Sequence, residues 1–328
     1  MLLRIKPSKR AMFIVATVLL VLGVAEMLLT TRFGDAPSAD RLHFNLNPLA
    51  NENLFIYDPA LFWRLKPGAL DGESRINRLG MRGPPAKKSR KSKTLRILLI
   101  GDSIPYGFKL EDDETIGAHM RRLLGDKGAV EVINGGVVGY SSFQTMNYFQ
   151  RELASWKPDI VVIYVGNNDW IDTPTFADNA QPVLRESIGS TWNTLRRLAL
   201  YRSMRSLLVK SHLLETRFKV GGKRIARVSP DDFVANLLAI RDFSEKIGAK
   251  PLFCRIVQFQ GNPQCATSGF YPTGTDLQMV DTLKPFEDLC VPEARRYFMD
   301  GIHPTSEGAL LMAKAIAEKI NGLTSLKQ

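Results

Sequence analysis

Four short apolar runs, the first three leading into glycine-rich or polar loops, constrain this chain more than any other feature. They are LRILLIGDS (95–103), VEVINGGVVG (130–139), PDIVVIYVGNND (158–169) and KPLFCRIVQ (250–258). A strand buried on both faces reads as a continuous apolar run rather than as alternation. Segments with helical spacing separate the runs, at residues 114–125, 143–155 and 230–249. The last of these has Ser229 placed to cap it. A final helix is expected over Ser306–Ile320, with its Ala, Leu and Ile positions on one face. Strands alternating with helices predict a doubly wound, parallel α/β sheet. In such sheets ligands sit beyond the carboxyl ends of the strands. Three places are thereby picked out: Gly101-Asp102-Ser103, the loop around Gly139, and Gly166-Asn167-Asn168-Asp169.

The formal charge of +11 would suit a nucleic-acid partner, so the location of the basic residues matters. Arg4, Lys6, Lys9 and Arg10 precede an apolar run from Ala11 to Thr30, long enough to cross a bilayer as a helix. Positive charge before the run predicts a cytoplasmic N-terminus and an exported body. A cleaved signal peptide is the competing reading, because Gly23-Val24-Ala25 is an acceptable cleavage site. Apolar residues continue through Met27, Leu28 and Leu29, which favours an uncleaved anchor, although Glu26 is costly there unless it lies near the interface. A second basic stretch, Lys87–Lys93, reads as a solvated connector, since an exported protein rarely meets nucleic acid.

An exported chain with three cysteines has room for one disulfide. Cys265 and Cys290 fall in expected loops while Cys254 ends a strand-like run, so 265–290 is the pairing a disulfide would take, with three small buried thiols an equal alternative. No two cysteines have the close spacing of a zinc or redox motif, and no cofactor is implied.

A serine attacks a carbonyl only when a base takes its proton, usually a histidine oriented by a carboxylate. The chain has four histidines. His43 lies in the membrane-proximal lead-in, His119 in the middle of a helix, and His212 in a basic helical stretch. Only His303 has an acid at short spacing in a strand-to-helix loop, Asp300-Gly301-Ile302-His303-Pro304. Three residues allow that carboxylate to curl back onto the imidazole N–H. An ordinary α/β-hydrolase would show Gly-x-Ser-x-Gly with acid and base far apart, and neither holds here.

GDSIPYG at 101–107, NGGVVGYSS at 134–142, GNND at 166–169 and DGIHP at 300–304 together resemble the four sequence blocks of the SGNH (GDSL) hydrolase superfamily, in the family's order. The resemblance spans roughly residues 95–320 and implies a three-layer, flavodoxin-like sheet. It also implies Ser103 as nucleophile, His303 as base and Asp300 as its orienting acid. Gly139, Asn168 and the N–H of Ser103 would form the oxyanion hole. The lead-in DPALFWRLKPG followed by RINRLGMRG resembles the segment before the catalytic domain in bacterial membrane-anchored members, with Asn77 and Gly80-Met81-Arg82-Gly83 as its recurring cluster. Met81 stands where an aromatic is usual, and Arg82 is expected to dock the segment rather than to touch substrate.

The expected layout is a cytoplasmic segment at 1–10, a span at 11–30, a lead-in at 31–94 and a hydrolase domain at 95–322 with an insertion at about 170–229. In the insertion, Arg196, Arg197, Arg202, Arg205 and Lys210 interleave with leucines, which reads as a helix covering its own domain, or as one lying on an anionic surface. The expected activity is hydrolysis of carboxylic esters, on acylated glycans or next on lipids, by an exported, membrane-anchored esterase. O-acyl transfer by the same triad, a lipase or lysophospholipase, and a non-catalytic glycan- or partner-binding component are the alternatives.

Overall fold

The computed structural model describes residues 9–33, 54–58, 60–90, 94–125, 129–173, 177–180, 200–201, 203–204, 225–260, 264–272 and 274–325. The chain divides into two units, Met1–Asn45 with Val183–Gly221, and Leu46–Pro182 with Gly222–Gln328.

The first unit contains a 25-residue helix, α1 (Lys9–Phe33). Phe13, Ile14, Leu19, Leu20 and Met27 are all exposed along it. The Glu26 carboxylate accepts the backbone N–H of Leu200 at 2.7 Å. Side chains at 11, 12, 15 and 30–33 lie outside the described set. Over the described residues, no helix is long and apolar enough to cross a membrane. The basic residues expected to form an amphipathic helix at 196–210 also lie outside the described residues.

The second unit is built on a five-stranded parallel sheet. Its strands are β1 (Leu95–Gly101), β2 (Val130–Gly136), β3 (Ile160–Tyr164), β4 (Lys250–Cys254) and β5 (Met279–Val280). Their spatial order is β2-β1-β3-β4-β5, every pair parallel. The chain therefore leaves β1 toward one edge and returns to pass its other side, which opens a crevice where the β1 and β3 loops diverge. Ile97 to Ile100 are all fully buried, as are Val161 to Ile163. Successive side chains alternate between faces, so both faces of these strands are covered.

Helices supply that cover. On one face α3 (Ile116–Gly125) packs against α6 (Ser306–Ser325). Ile116, Met120, Ala309, Met312, Ala313 and Ile316 join Ile97, Leu99, Val162 and Leu252 in one cluster. Separately, α4 (Ser142–Arg151) and α5 (Pro230–Lys246) pair with each other, with the rings of Phe149 and Phe243 meeting edge-on at 5.5 Å. Each large apolar side chain buried this way contributes about 1.5–3 kcal/mol. The architecture is the α/β parallel sheet expected from the sequence.

Three details depart from the sequence reading. KPLFCRIVQ is not one strand. It leaves the sheet after Cys254, and Val257–Gln260 pairs instead with Cys265–Ser268 in a separate hairpin. Cys265 thus lies in a strand, and it is disulfide-bonded to Cys290, while Cys254 is free and buried. The lead-in holds two hairpins, Phe55–Asp58 with Phe62–Leu65 and Leu70–Asp71 with Ser74–Arg75. The described part of the basic connector is pinned to the domain: Lys88 lies over the Trp156 ring, Arg90 pairs with Asp159, and buried Arg96 holds the Lys87 carbonyl at 2.7 Å.

Candidate active site

Ser103 opens a four-residue helix, α2 (Ser103–Tyr106), at the carboxyl end of β1. The β1 and β3 backbones approach so closely at Gly101 that a Cβ there would lie 1.7 Å from the Tyr164 carbonyl oxygen, and its φ of +143° also excludes other residues. Asp102 caps the helix by accepting the Ile104 N–H at 2.9 Å. As the first helical residue, Ser103 has an N–H with no intrahelical partner.

Ser103, His303 and Asp300 form one hydrogen-bonded chain. Ser103 Oγ lies 2.9 Å from His303 Nε2, and His303 Nδ1 lies 2.8 Å from Asp300 Oδ2. The other Asp300 oxygen accepts the backbone N–H groups of Ile302 and His303 at 2.9 and 2.8 Å. Partial burial alone would raise the Asp300 pKa, but those N–H groups and the imidazole together hold it below the ordinary carboxylate value. Phe108 packs its ring 4.8 Å from the imidazole and donates its own N–H to the Ser103 carbonyl. This geometry lets imidazole Nε2 take the hydroxyl proton while the carboxylate fixes the tautomer.

Gly139 and Asn168 come from the two loops flanking Ser103. Gly139 has φ +79°, and Asn168 Nδ2 donates to the carbonyl of the next residue, Tyr140, at 3.0 Å. A side-chain amide has two donors, so the second remains for a ligand. The loop Val138–Tyr140 is braced from several sides. Trp63 Nε1 donates to the Val138 carbonyl at 3.0 Å, and the Tyr140 hydroxyl donates to the Trp63 carbonyl at 2.6 Å. Arg227 Nη1 donates to the Gly139 carbonyl at 2.8 Å. The same guanidinium, 3% exposed, pairs with Asp178 at 2.8 Å and with Gln144 Oε1 at 2.5 Å.

Residues 99–240 match the family of GDSL-like lipases and acylhydrolases. The match includes the serine, glycine and asparagine blocks; the Asp300–His303 loop lies beyond it and is joined to them by the geometry above. Residues 99–240 form a GDSL-like lipase/acylhydrolase domain of the SGNH type. With that domain the chain is a serine hydrolase of ester bonds. The chain is similar to three solved structures among others, at low identity. TesA is 18% identical, with 70% of this chain and 99% of that one covered and a TM-score of 0.43. A catalytic mutant of the acetylxylan esterase Axe2 from Geobacillus stearothermophilus is 16% identical, with 69% and 93% covered and a TM-score of 0.41. A lipase/acylhydrolase from Enterococcus faecalis is 18% identical, with 69% and 95% covered and a TM-score of 0.42. No curated protein matches the sequence significantly.

Within this SGNH hydrolase, Arg82 has the docking place expected of it. Its side chain is 1% exposed, lies over the Tyr106 ring, and is bonded to Ser74, Asp112 and the carbonyls of Gly107 and Leu110. It thus ties the lead-in to the stretch that follows Ser103 and faces no solvent. Asn77 holds the turn below it, accepting from Leu79 and donating to the Gly83 carbonyl. Trp63, Asp178 and Arg227 went unseen in the sequence. Nothing marks a buried arginine across some 90 residues, and the isolated Trp63 reads as core.

Two buried acids give the SGNH core a pH dependence. Burial pushes the Asp102 carboxyl up to about 7 against the bonds from Ile104 and Asn167. It likewise pushes Asp169 up to about 6 against the bonds from Ser142. In the unfolded chain both ionise near ~3.9. Between about pH 4 and pH 7 the folded protein holds protons the unfolded chain has released, so stability falls as pH rises through that window. Asp300 acts oppositely: its contribution is present at neutral pH and is lost as pH falls through its lowered pKa, below about pH 4. The thermal midpoint is expected to be higher at pH 5 than at pH 8, by about 5 °C. Asp102→Asn should narrow the difference, and a midpoint that rises from pH 5 to pH 8 would contradict this account.

Proposed function

We propose that this SGNH hydrolase is an exported, membrane-anchored esterase that removes O-acyl groups, acetyl groups above all, from glycans through an acyl-serine intermediate. The observation that carries the reading is the continuous chain Ser103 Oγ, His303 Nε2, His303 Nδ1, Asp300 Oδ2. Ser103 is the nucleophile; its proton passes to His303, which then returns it to the departing alcohol. Water attacks the acyl-serine with His303 again as base. The oxyanion of each tetrahedral intermediate is held by the N–H groups of Ser103 and Gly139 and by Asn168 Nδ2. A donor of this kind is worth about 3–4 kcal/mol in the transition state.

Two features support export and anchoring. The run Ala11–Thr30 is about the length a bilayer requires and follows four basic residues. The disulfide between Cys265 and Cys290 suits an oxidising compartment outside the cytoplasm. Glu26, the costly residue in that helix, has the Leu200 N–H as partner.

A fluorophosphonate that cannot cross bilayers tests the reading in intact cells carrying the full chain. Labelling from outside, together with hydrolysis of p-nitrophenyl acetate by the same cells, is expected. Labelling only after lysis would reject the topology, and none in lysed cells would reject the serine esterase.

A further inference from the structure

Two of the proposed oxyanion donors sit on different loops, the Ser103 N–H after β1 and Asn168 Nδ2 after β3, and one half-buried side chain joins those loops. Asn167 Nδ2 donates to Asp102 Oδ2 at 3.3 Å, while Asn167 Oδ1 accepts from Gln258 Nε2 at 3.0 Å. Asp102 precedes the nucleophile, is fully buried, and uses its other oxygen to cap the helix that Ser103 opens. Asn167 in turn precedes Asn168. A shift of this one amide therefore moves one donor relative to the other.

The polarity of the chain is fixed by its inner end. An ionised carboxylate only accepts hydrogen bonds, so Asn167 must turn its NH2 toward Asp102 and its carbonyl toward Gln258. Gln258 must then donate, which leaves its Oε1 to accept from Gln260 Nε2 at 2.8 Å. Gln260, Gln258, Asn167 and Asp102 thus form one line in which each amide donates to the next group, and bonds in such a line polarise one another.

The outer end is anchored. Gln258 lies in the hairpin of Val257–Gln260 with Cys265–Ser268, which the disulfide ties to Cys290. The next residue, Phe259, donates its N–H to the Gly301 carbonyl at 3.0 Å, in the loop of His303, and its ring meets that of Phe298 at 4.8 Å. One strand thus holds the asparagine loop by a side chain and the histidine loop by its backbone.

We infer that Asn167 is a positioning residue, held by Gln258, that sets the gap between the Ser103 and Asn168 donors of the oxyanion hole. This rests on the esterase reading and its oxyanion assignment. Asn167 acts through Asp102 and Asn168, so its removal is felt when the oxyanion forms rather than when substrate binds.

Turnover of p-nitrophenyl acetate by the wild-type full chain, with labelling by a fluorophosphonate, examines the esterase reading alone. In the full chain, Asn167→Ala should lower kcat on the order of 10–100-fold, as misplacement of a positioned group does, while KM changes little. Gln258→Leu removes one half-buried hydrogen bond and should lower kcat by about fivefold, with the thermal midpoint unchanged. Because Gln258 acts through Asn167, the double variant should be no slower than Asn167→Ala alone. The rate of fluorophosphonate labelling should follow kcat in all three. An unaltered kcat in Asn167→Ala would overturn the inference even though the wild type is an active esterase. So would a raised KM at unchanged kcat, which would make Asn167 a substrate contact, or losses that multiply in the double variant. If Asn167→Ala also lowers the thermal midpoint, Gln258→Leu decides: a midpoint that falls with kcat there too would assign both residues to the fold and overturn the inference.

Discussion

Ser103→Ala is expected to lower kcat for p-nitrophenyl acetate by on the order of 10⁴–10⁶-fold and to abolish fluorophosphonate labelling, with the thermal midpoint unchanged. The size follows from what is removed. In the proposed mechanism the hydroxyl is the atom that bonds to the carbonyl carbon, and it is the hydroxyl that hydrogen-bonds His303 Nε2. Residual turnover would come from the oxyanion donors and from water activated by His303. The fold should not register the change, because the Ser103 side chain makes one hydrogen bond, to His303, while Asp102 and Gly107 hold the helix ends. His303→Ala should lose comparable activity, but it also removes the ring that Phe108 packs against. Labelling that persists in Ser103→Ala would mean that another residue is the nucleophile. A fall in the thermal midpoint together with activity would mean that the loss is structural.

The sheet was legible because β1 and β3 are buried on both faces, which forces continuous apolar runs that few other elements produce. The triad was legible for a different reason: Asp300 and His303 share one loop, so local spacing carried their relationship. β5 was not legible, since its two residues offer no periodicity and it forms only by pairing with β4. The break after Cys254 was equally hidden, because apolar Ile256 and Val257 continue the pattern while the backbone turns away to pack against Gly166. The lead-in hairpins of two and four residues per strand also lack a signal of their own. Their stability comes from contacts such as Trp63 with the Val138 carbonyl and Gln144 with the Leu61 carbonyl, which link positions more than 70 residues apart. Sequence shows the groups proposed to act on the substrate better than the groups that hold them still.

Arg227 is the strongest instance of the second kind, and Arg227→Met is expected to cost both stability and rate. The guanidinium neutralises Asp178, which is 2% exposed, and satisfies Gln144 Oε1 and the Gly139 carbonyl at once. Methionine fills similar space and leaves a buried carboxylate without its charge partner, a loss on the order of 3–5 kcal/mol. Catalysis suffers separately. Without Arg227 the Gly139 carbonyl loses its donor, and the peptide that aims the Gly139 N–H is freer to rotate. A displaced oxyanion donor costs about 10²-fold in kcat, as an ångström-scale error in a positioned group does. The two effects can be pulled apart with the double variant Arg227→Met/Asp178→Asn, which removes the stranded charge while Ser141 still donates to residue 178. Its thermal midpoint should recover most of what the single variant lost, while kcat stays low and KM moves little. If kcat recovers in step with stability, Arg227 serves the fold alone. If kcat stays low in a protein of restored stability, the proposed oxyanion loop depends on a side chain that enters at the end of the insertion and is buried away from the substrate.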